Sequence, residues 1–273
     1  MQTYWVKHKA SSSATSDSFS RGSQSLDIPE PIHPGQKATG VRNTLIEWQI
    51  ELLSRLLKQI IYHRKMNSPS KSEHFTTVVY GKGLPRDEIA EKISMPAFAP
   101  NSSKRDIDID SIELPAGVVL QLEDLATSIA QLYHDNAFHN FEHACHVTMS
   151  ANKLLQRIVV PKFQDSTESS KRAHDYTYGL TSDPLTQFAI IFSAIVHDID
   201  HHGVSNKQLT NEKNRLAAMY DDKSVAEQNS IDLAFEMLAS PCYSDLVSCI
   251  CADEMEYKRL RQLIVNCVMA TDM

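Results

Sequence analysis

Residues 185–206 read LTQFAIIFSAIVHDIDHHGVSN, and this stretch decides the fold. Its first part is a nearly unbroken apolar run, and the length from Leu185 to His197 favours a buried helix over a strand. The run ends in His197 and Asp198. Polar groups at the end of a buried helix cost free energy unless they are paired or bound to a metal ion. The stretch therefore predicts a core helix that delivers ligands to a site.

A second histidine cluster, FHNFEHA, lies at residues 138–144. His139 and His143 are four residues apart, as are His197 and His201, so a helical turn would place each pair on one face. Neutral imidazoles with a carboxylate such as Asp198 suit zinc or another divalent first-row ion, and carboxylate with water favours a harder second ion. Such ions activate water and neutralise phosphate oxygens. The two clusters therefore indicate a metal site suited to phosphoester chemistry.

Past Pro115 the sequence predicts helix after helix, and we expect an all-α fold. The apolar spacing of a helix recurs over residues 118–134, 143–158, 213–239 and 254–270. A polar connector separates two of these segments at residues 161–184.

The preceding part of the chain divides into a linker and a helical segment. Residues 8–40 are rich in serine and proline and are expected to form a disordered linker. Residues 41–114 contain an amphipathic helix at 43–64 and a connecting segment with a strand-like stretch at 76–80. The helix either packs on the following domain or forms a homodimer.

Composition excludes some partners. The formal net charge of −7 offers no footprint for nucleic acid, and the chain has no run of about 18 apolar residues that would predict a membrane segment. The five cysteines contain no C-x-x-C pair, which is typical of reduced thiols in a cytosolic protein. We therefore expect this portion to be cytoplasmic.

The combined motif is more specific than either cluster. The pattern His-Asn-x-x-His-Ala at 139–144 is followed, 54 residues after His143, by His-Asp-x-x-His-x-Gly-x-x-Asn. This combination resembles the catalytic domain of class I 3',5'-cyclic nucleotide phosphodiesterases, a branch of the His-Asp (HD-type) metal phosphohydrolases. Residues 216–220, 224–227 and 268–273 are similar to further segments of that family. The resemblance covers about residues 115–273 and implies a compact multi-helix domain that hydrolyses cAMP, cGMP or both in cyclic nucleotide signalling.

The resemblance also implies roles for the matched residues. His139 is similar to the general acid that protonates the leaving ribose oxygen, and thus contacts the substrate. His143, His197 and Asp198 resemble the ligands of a tightly bound ion, usually zinc. Asp198 would also face the substrate and a second ion, magnesium or manganese. Outer groups that hold water or orient ligands are matched by His201, Glu227 and Asp272.

Two asparagines match motif positions of the family near the site, and one nearby segment departs from the family pattern. Asn140 and Asn206 occupy motif positions that imply local hydrogen bonds. The family's Ser-Val-x-Glu segment usually continues Asn-His-His, whereas Gln228, Asn229 and Ser230 follow here. The replacement of a histidine by Asn229 implies a different proton network.

The chain ends at Met273, before the family's fourth metal ligand and its purine-binding residues. The sequence therefore predicts a partial catalytic domain whose C-terminal part is missing, an active parent protein, and a weak or inactive fragment. Nothing in the sequence separates cAMP from cGMP. The alternatives are a phosphohydrolase for another phosphoester and a non-enzymatic sensing or scaffold domain.

The first residues carry a separate resemblance. Residues 1–6, MQTYWV, are similar to the last strand of class III nucleotide cyclases. The resemblance implies that residues 1–7 end a cyclase domain and that the parent protein fuses a cyclase to a phosphodiesterase. Such fusions are often membrane receptors, so membrane attachment of the parent protein stays open.

Overall fold

The structure, a computed structural model, describes residues 34–67, 83–94, 96, 98, 109–159 and 167–272. These residues contain helices and turns and no strand, which confirms the all-α prediction. No helix of the described part is long and apolar enough to cross a membrane. The α-helices are α1 Pro34–Asn67, α2 Ala116–Gln131, α3 Phe141–Val159, α4 Thr167–Tyr176, α5 Pro184–Val196, α6 Asn206–Asn211, α7 Arg215–Met219, α8 Val225–Leu238, α9 Ser244–Ile250 and α10 Glu254–Met269.

Helix α5 is the centre of the fold. It starts with Asp183 as N-cap, whose carboxylate accepts a hydrogen bond from the Thr186 backbone, and with Pro184 in the first turn. Both features favour a helix start. Ten of its thirteen residues are buried, so the helix is covered on nearly every side, mainly by α1, α3 and α10. The apolar run at 185–196 is thus the buried helix that the sequence predicts.

Helix α1 packs into the same core. Leu53, Leu57 and Ile60 are at most 3% exposed and belong to the apolar cluster that contains the buried residues of α5. Of the two alternatives for this helix, packing on the domain is confirmed, and a homodimer stays a prediction. The helix begins at Pro34, so residues 34–40 are helical where the sequence predicted linker. Proline is favoured in the first turn of a helix, which accounts for the earlier start.

Two segments differ from the sequence prediction, and other segments lie outside the described residues. The pattern at 213–239 forms two helices, α7 and α8, because Asp221, Asp222 and Ser224 adopt positive φ angles that a right-handed helix excludes. The connector at 161–184 contains α4, which has few apolar residues to signal it. Residues 1–7, the linker up to residue 33 and the strand-like stretch at 76–80 lie outside the described residues.

A short segment before α2 is fastened to α10. Glu88 receives two hydrogen bonds from the buried guanidinium of Arg261, at 2.6 and 2.7 Å. The side chain of Asn266 bonds both the N–H and the carbonyl of Ala90, at 3.0 and 2.7 Å. These side-chain hydrogen bonds therefore hold the segment that contains Glu88 and Ala90 on the helical domain.

The packing of α1 predicts a large effect of Leu57→Ala. Leu57 is fully buried, so the truncation should lower the free energy of unfolding by about 2–5 kcal/mol. Chemical denaturation followed by circular dichroism measures this. Val41→Ala on the same helix is the control, because Val41 is half exposed and should change the free energy of unfolding by less than about 0.5 kcal/mol. An equal free energy of unfolding for Leu57→Ala and the unaltered 273-residue chain would contradict the packing of α1 in the core.

Candidate active site

The site lies where the C-terminal end of α5 meets the first turn of α3. His197 caps the end of α5 and Asp198 follows it, while His143 lies in the first turn of α3. The Nε2 atoms of His197 and His143 are 3.1 and 3.7 Å from the same oxygen, Oδ2 of Asp198. The potential ligand atoms of the three residues all lie within 4.8 Å of one another. The structure thus brings together the three side chains that the sequence assigned as metal ligands.

These three residues fit a divalent metal ion. Oδ2 of Asp198 is buried and makes no hydrogen bond of ordinary geometry to the described residues. Nδ1 of His197 lies 3.1 Å from the Ala194 carbonyl, which can only accept, so the ring proton is on Nδ1. In the neutral form of His197, which is the form that binds metal ions, the lone pair of Nε2 therefore faces the carboxylate. Two electron-rich atoms held together in a buried place favour a positive charge between them, which a metal ion or a proton supplies.

The charges at the site agree with this assignment. Burial by itself would raise the pKa of Asp198, but the imidazoles of His197, His201 and His139 hold it below its usual value. Burial lowers the pKa of His143, and the nearby histidines add to this against the attraction of Asp198. An ionised carboxylate and a neutral imidazole are the forms that bind metal ions.

His139 and His201 lie together at the rim of this cluster. Their rings stack, with centroids 3.8 Å apart and an interplanar angle of 23°, and the His139 ring is 6.0 Å from that of His143. Nδ1 of His201 accepts a hydrogen bond of 2.9 Å from the Gly203 backbone, and burial lowers the pKa of His201.

The prediction that a helical turn places His139 with His143, and His197 with His201, on one helix face is wrong. His139 lies in a bend before α3, and α5 ends before His201, so neither pair shares a helix face. Asn140 starts α3 after His139, because its Oδ1 accepts a hydrogen bond of 2.9 Å from the His143 backbone. The local hydrogen bonding predicted for Asn140 is confirmed.

Glu227 and Asp272 form a separate acidic group beside the cluster. Nδ2 of Asn206 donates to Oε2 of Glu227 at 2.8 Å and to Oδ1 of Asp272 at 3.3 Å, which confirms local hydrogen bonding by Asn206. Burial raises the pKa of Glu227, and the charges of Asp272 and Asp198 contribute to the rise although the Asn206 hydrogen bond opposes it. Glu227 therefore lies close enough to Asp198 to be affected by its charge, and Asp272 is joined to Glu227 through Asn206.

Three side chains that sequence reasoning did not assign to the site hold the turn after α5. Ser230 donates to the Ile199 carbonyl at 2.9 Å, and Asn229 donates to Oδ2 of Asp200 at 3.1 Å. Asn136 donates to the carbonyl of His201 at 2.6 Å. The only local signal for these contacts was the departure from the family pattern at Asn229 and Ser230.

Comparison with known proteins identifies relatives of the segment that carries the site. Residues 138–273 match a family described as 3'5'-cyclic nucleotide phosphodiesterase. The chain is 33% identical over 142 residues to a probable 3',5'-cyclic-AMP phosphodiesterase of Caenorhabditis elegans, covering 52% of this chain and 18% of that protein. It is 30% identical over 175 residues to 3',5'-cyclic-AMP phosphodiesterase 4C of Rattus norvegicus, covering 62% of this chain and 27% of that protein.

A solved structure is also similar. The phosphodiesterase domain of the RhoPDE fusion protein from the choanoflagellate Salpingoeca rosetta is 30% identical with a TM-score of 0.45. The match covers 56% of this chain and 41% of that domain. The chain spans about a fifth of the length of its C. elegans relative.

The cluster predicts that the 273-residue chain binds a divalent ion through its three ligands. Loss of a residue that only supports a metal ligand commonly weakens metal binding about 10–100-fold. Because His197 is proposed as a direct ligand, His197→Ala should weaken Zn²⁺ binding by more than about 100-fold. Competition with a chromophoric chelator measures the affinity. His202→Ala is the control, because His202 is exposed and lies outside the cluster. Similar Zn²⁺ affinities of the two variants would rule out His197 as a ligand.

Proposed function

Because residues 138–273 belong to the 3'5'-cyclic nucleotide phosphodiesterase family, we propose that the protein hydrolyses cAMP, cGMP or both to the 5'-monophosphate. The observation that carries this proposal is the convergence of two imidazole Nε2 atoms on the buried Oδ2 of Asp198. The names of the two relatives, which refer to cyclic AMP, support the substrate class.

His143, His197 and Asp198 would hold the more tightly bound ion. Two imidazole nitrogens and a carboxylate oxygen are a donor set that favours zinc. Asp198 would also contribute to a second site for magnesium or manganese, which prefer oxygen ligands. When bound, such ions lower the pKa of water and neutralise charge on the phosphate.

We assign His139 as the general acid. Hydrolysis forms a bond from water oxygen to phosphorus and breaks the bond from phosphorus to the ribose 3'-oxygen, which needs a proton as it leaves. His139 is half-buried at the rim, beside the ligands but outside them, and its ring can reach a substrate held there. A positioned acid at such a place gives the leaving oxygen its proton in the same step.

The outer residues would keep the reacting groups in place. His201 stacks on His139 and limits the orientations of that ring. Glu227 and Asp272, joined through Asn206, present carboxylate oxygens that can hold water molecules near Asp198. Such outer partners orient ligands and water at metal sites.

The domain organisation completes the proposal. Residues 115–273 would form part of the catalytic domain, and α1, which ends within the 41–114 segment, packs on it through the shared core. The cyclase resemblance at residues 1–7 stays a proposal about the parent protein.

The role of His139 predicts a large loss of turnover in His139→Ala. Removal of a general acid costs about 100-fold or more in kcat. The assay is hydrolysis of cAMP and cGMP by the full gene product with Mg²⁺, with and without chelator. His146→Ala is the control, because His146 is exposed on α3 and carries no proposed role.

The results of this assay test the role of His139 separately from the identity of the substrate. Chelator-sensitive turnover that falls only in His139→Ala supports the proposal and identifies the preferred nucleotide. Retention of kcat by His139→Ala would exclude it as the general acid. Absence of turnover for both nucleotides, with metal bound, would instead indicate another phosphoester as substrate or a non-enzymatic sensing role.

A further inference from the structure

We propose that Asn136 is a positioning residue whose side-chain amide joins the backbones of His139 and His201 and thereby holds their rings in a stack at the rim of the site. The catalytic consequence of this inference rests on the proposed function, whereas the structural arrangement does not. Asn136 lies outside the histidine motifs and received no role from the sequence.

One amide group of Asn136 makes both contacts. Its Nδ2 atom donates to the carbonyl of His139 at 2.9 Å and to the carbonyl of His201 at 2.6 Å. An amide nitrogen carries two hydrogens, so each carbonyl receives its own hydrogen bond. The two carbonyls belong to segments that are distant in sequence, the bend before α3 and the turn after α5. We refer to this arrangement as the Asn136 clasp.

The clasp is also fastened to α3. The backbone carbonyl of Asn136 accepts a hydrogen bond of 2.8 Å from Nδ2 of Asn140. Asn140 caps α3 with its other side-chain atom, Oδ1, which accepts from the His143 backbone. The clasp is therefore connected to the helix that carries a proposed metal ligand.

Gly203 provides the space that the clasp needs. A Cβ atom at position 203 would lie 2.8 Å from Oδ1 of Asn136, which is closer than real contacts of this kind. The φ angle of +75° at Gly203 also favours glycine. In addition, the Gly203 N–H donates to Nδ1 of His201, so the remaining ring proton of neutral His201 is on Nε2. One residue thus makes room for Asn136 and sets the tautomer of His201.

The geometry explains why the two rings remain together. The rings of His139 and His201 are stacked at 3.8 Å, and the clasp fixes the backbone of each residue against the other. Displacement of a catalytic group by about 1 Å can cost about 100-fold in rate. Loss of the clasp should therefore reduce turnover without removing any group that touches the metal or the substrate.

Asn136→Asp tests the clasp with a nearly isosteric change. The carboxylate has no hydrogens to donate and would face two carbonyl oxygens, so both hydrogen bonds are lost. Ring signals of labelled histidines, recorded by NMR on the metal-free 273-residue chain, report the environment of each ring. We expect the signals of His139 and His201 to shift together and that of the distant, buried His174 to stay unchanged. Single His→Gln variants assign the signals.

Asn266→Asp is a matched control. Asn266 also bonds two backbone groups with one side chain, the N–H and carbonyl of Ala90, but on α10 and away from the histidines. This variant should lower thermal stability and leave the signals of His139 and His201 in place. The comparison separates loss of a local clasp from a general loss of stability.

Gly203→Ala gives a second, independent test. The added methyl group would displace the Asn136 side chain and should shift the same two histidine signals. In the double variant Asn136→Ala with Gly203→Ala, the methyl group has no side-chain amide to displace, so the shifts should exceed those of Asn136→Ala alone only by the effect of backbone strain at position 203 on the ring of His201. If Asn136→Asp does not fold, these variants decide the question. Unchanged signals of His139 and His201 in a folded variant of either residue would overturn the proposal.

Kinetics of the full gene product then test the catalytic consequence. Asn136→Asp should lower kcat by about 10–100-fold with little change in KM and in metal content. A purely structural role would lower stability and leave kcat of the folded enzyme unaltered, which would overturn the positioning role. If the unaltered protein does not hydrolyse cyclic nucleotides, the proposed function fails, whereas the NMR comparison still decides whether the clasp exists.

Discussion

The carboxylate of Asp198 lies in a place where burial by itself disfavours a negative charge. It follows α5, a helix buried on nearly every side, and the C-terminal end of a helix carries a partial negative charge of its own. One of its oxygens is buried without an ordinary hydrogen bond, and the pKa of the group is nevertheless held low by the surrounding histidines. Such an arrangement is stable only if positive charge reaches the carboxylate, and the convergence of His143 and His197 on Oδ2 shows where that charge would be bound.

The position of His143 depends on the packing of α1 as well as on α3 and α5. Gln49 of α1 is fully buried and donates to Sγ of Cys145, two residues beyond His143, at 3.3 Å. Arg42 lies over the ring of Phe141, at 5.2 Å from its centroid, and donates to the carbonyl of Ala130. Because these contacts meet the first turns of α3, α1 is part of the support of the site. A conformational change transmitted along α1 would therefore act directly on the helix that carries one ligand.

The fold and the central cluster could be predicted because their signals are local. The apolar run of α5 continues without interruption into His197 and Asp198, so periodicity and residue type identify both the buried helix and its ligands. The placement of His139 and His201 could not be read from spacing, since Asn140 caps α3 after His139 and Asp200 adopts a positive φ of 59° before His201. The Asn140 cap is a local hydrogen bond, whereas Asp200 is held by tertiary hydrogen bonds, from its N–H to the Leu132 carbonyl and from Asn229 to its carboxylate. Asn136 gave no sequence signal, because its two acceptors are carbonyls that only the folded chain brings together.

The polar support around the site is made largely of neutral amides, and this has an electrostatic consequence. Asn206 lies between Glu227 and Asp272 and bonds both acids without neutralising them, whereas Asp200 bonds Asn229 and also lies 2.7 Å from Nε2 of His134. Burial is the main cause of the raised pKa of Glu227, and the negative charges of Asp272 and Asp198 add to it. A cyclic phosphate would be repelled by this surface unless cations were bound first. Under the proposed function, divalent ions held at Asp198 would therefore offset this negative charge where the phosphate of the substrate binds.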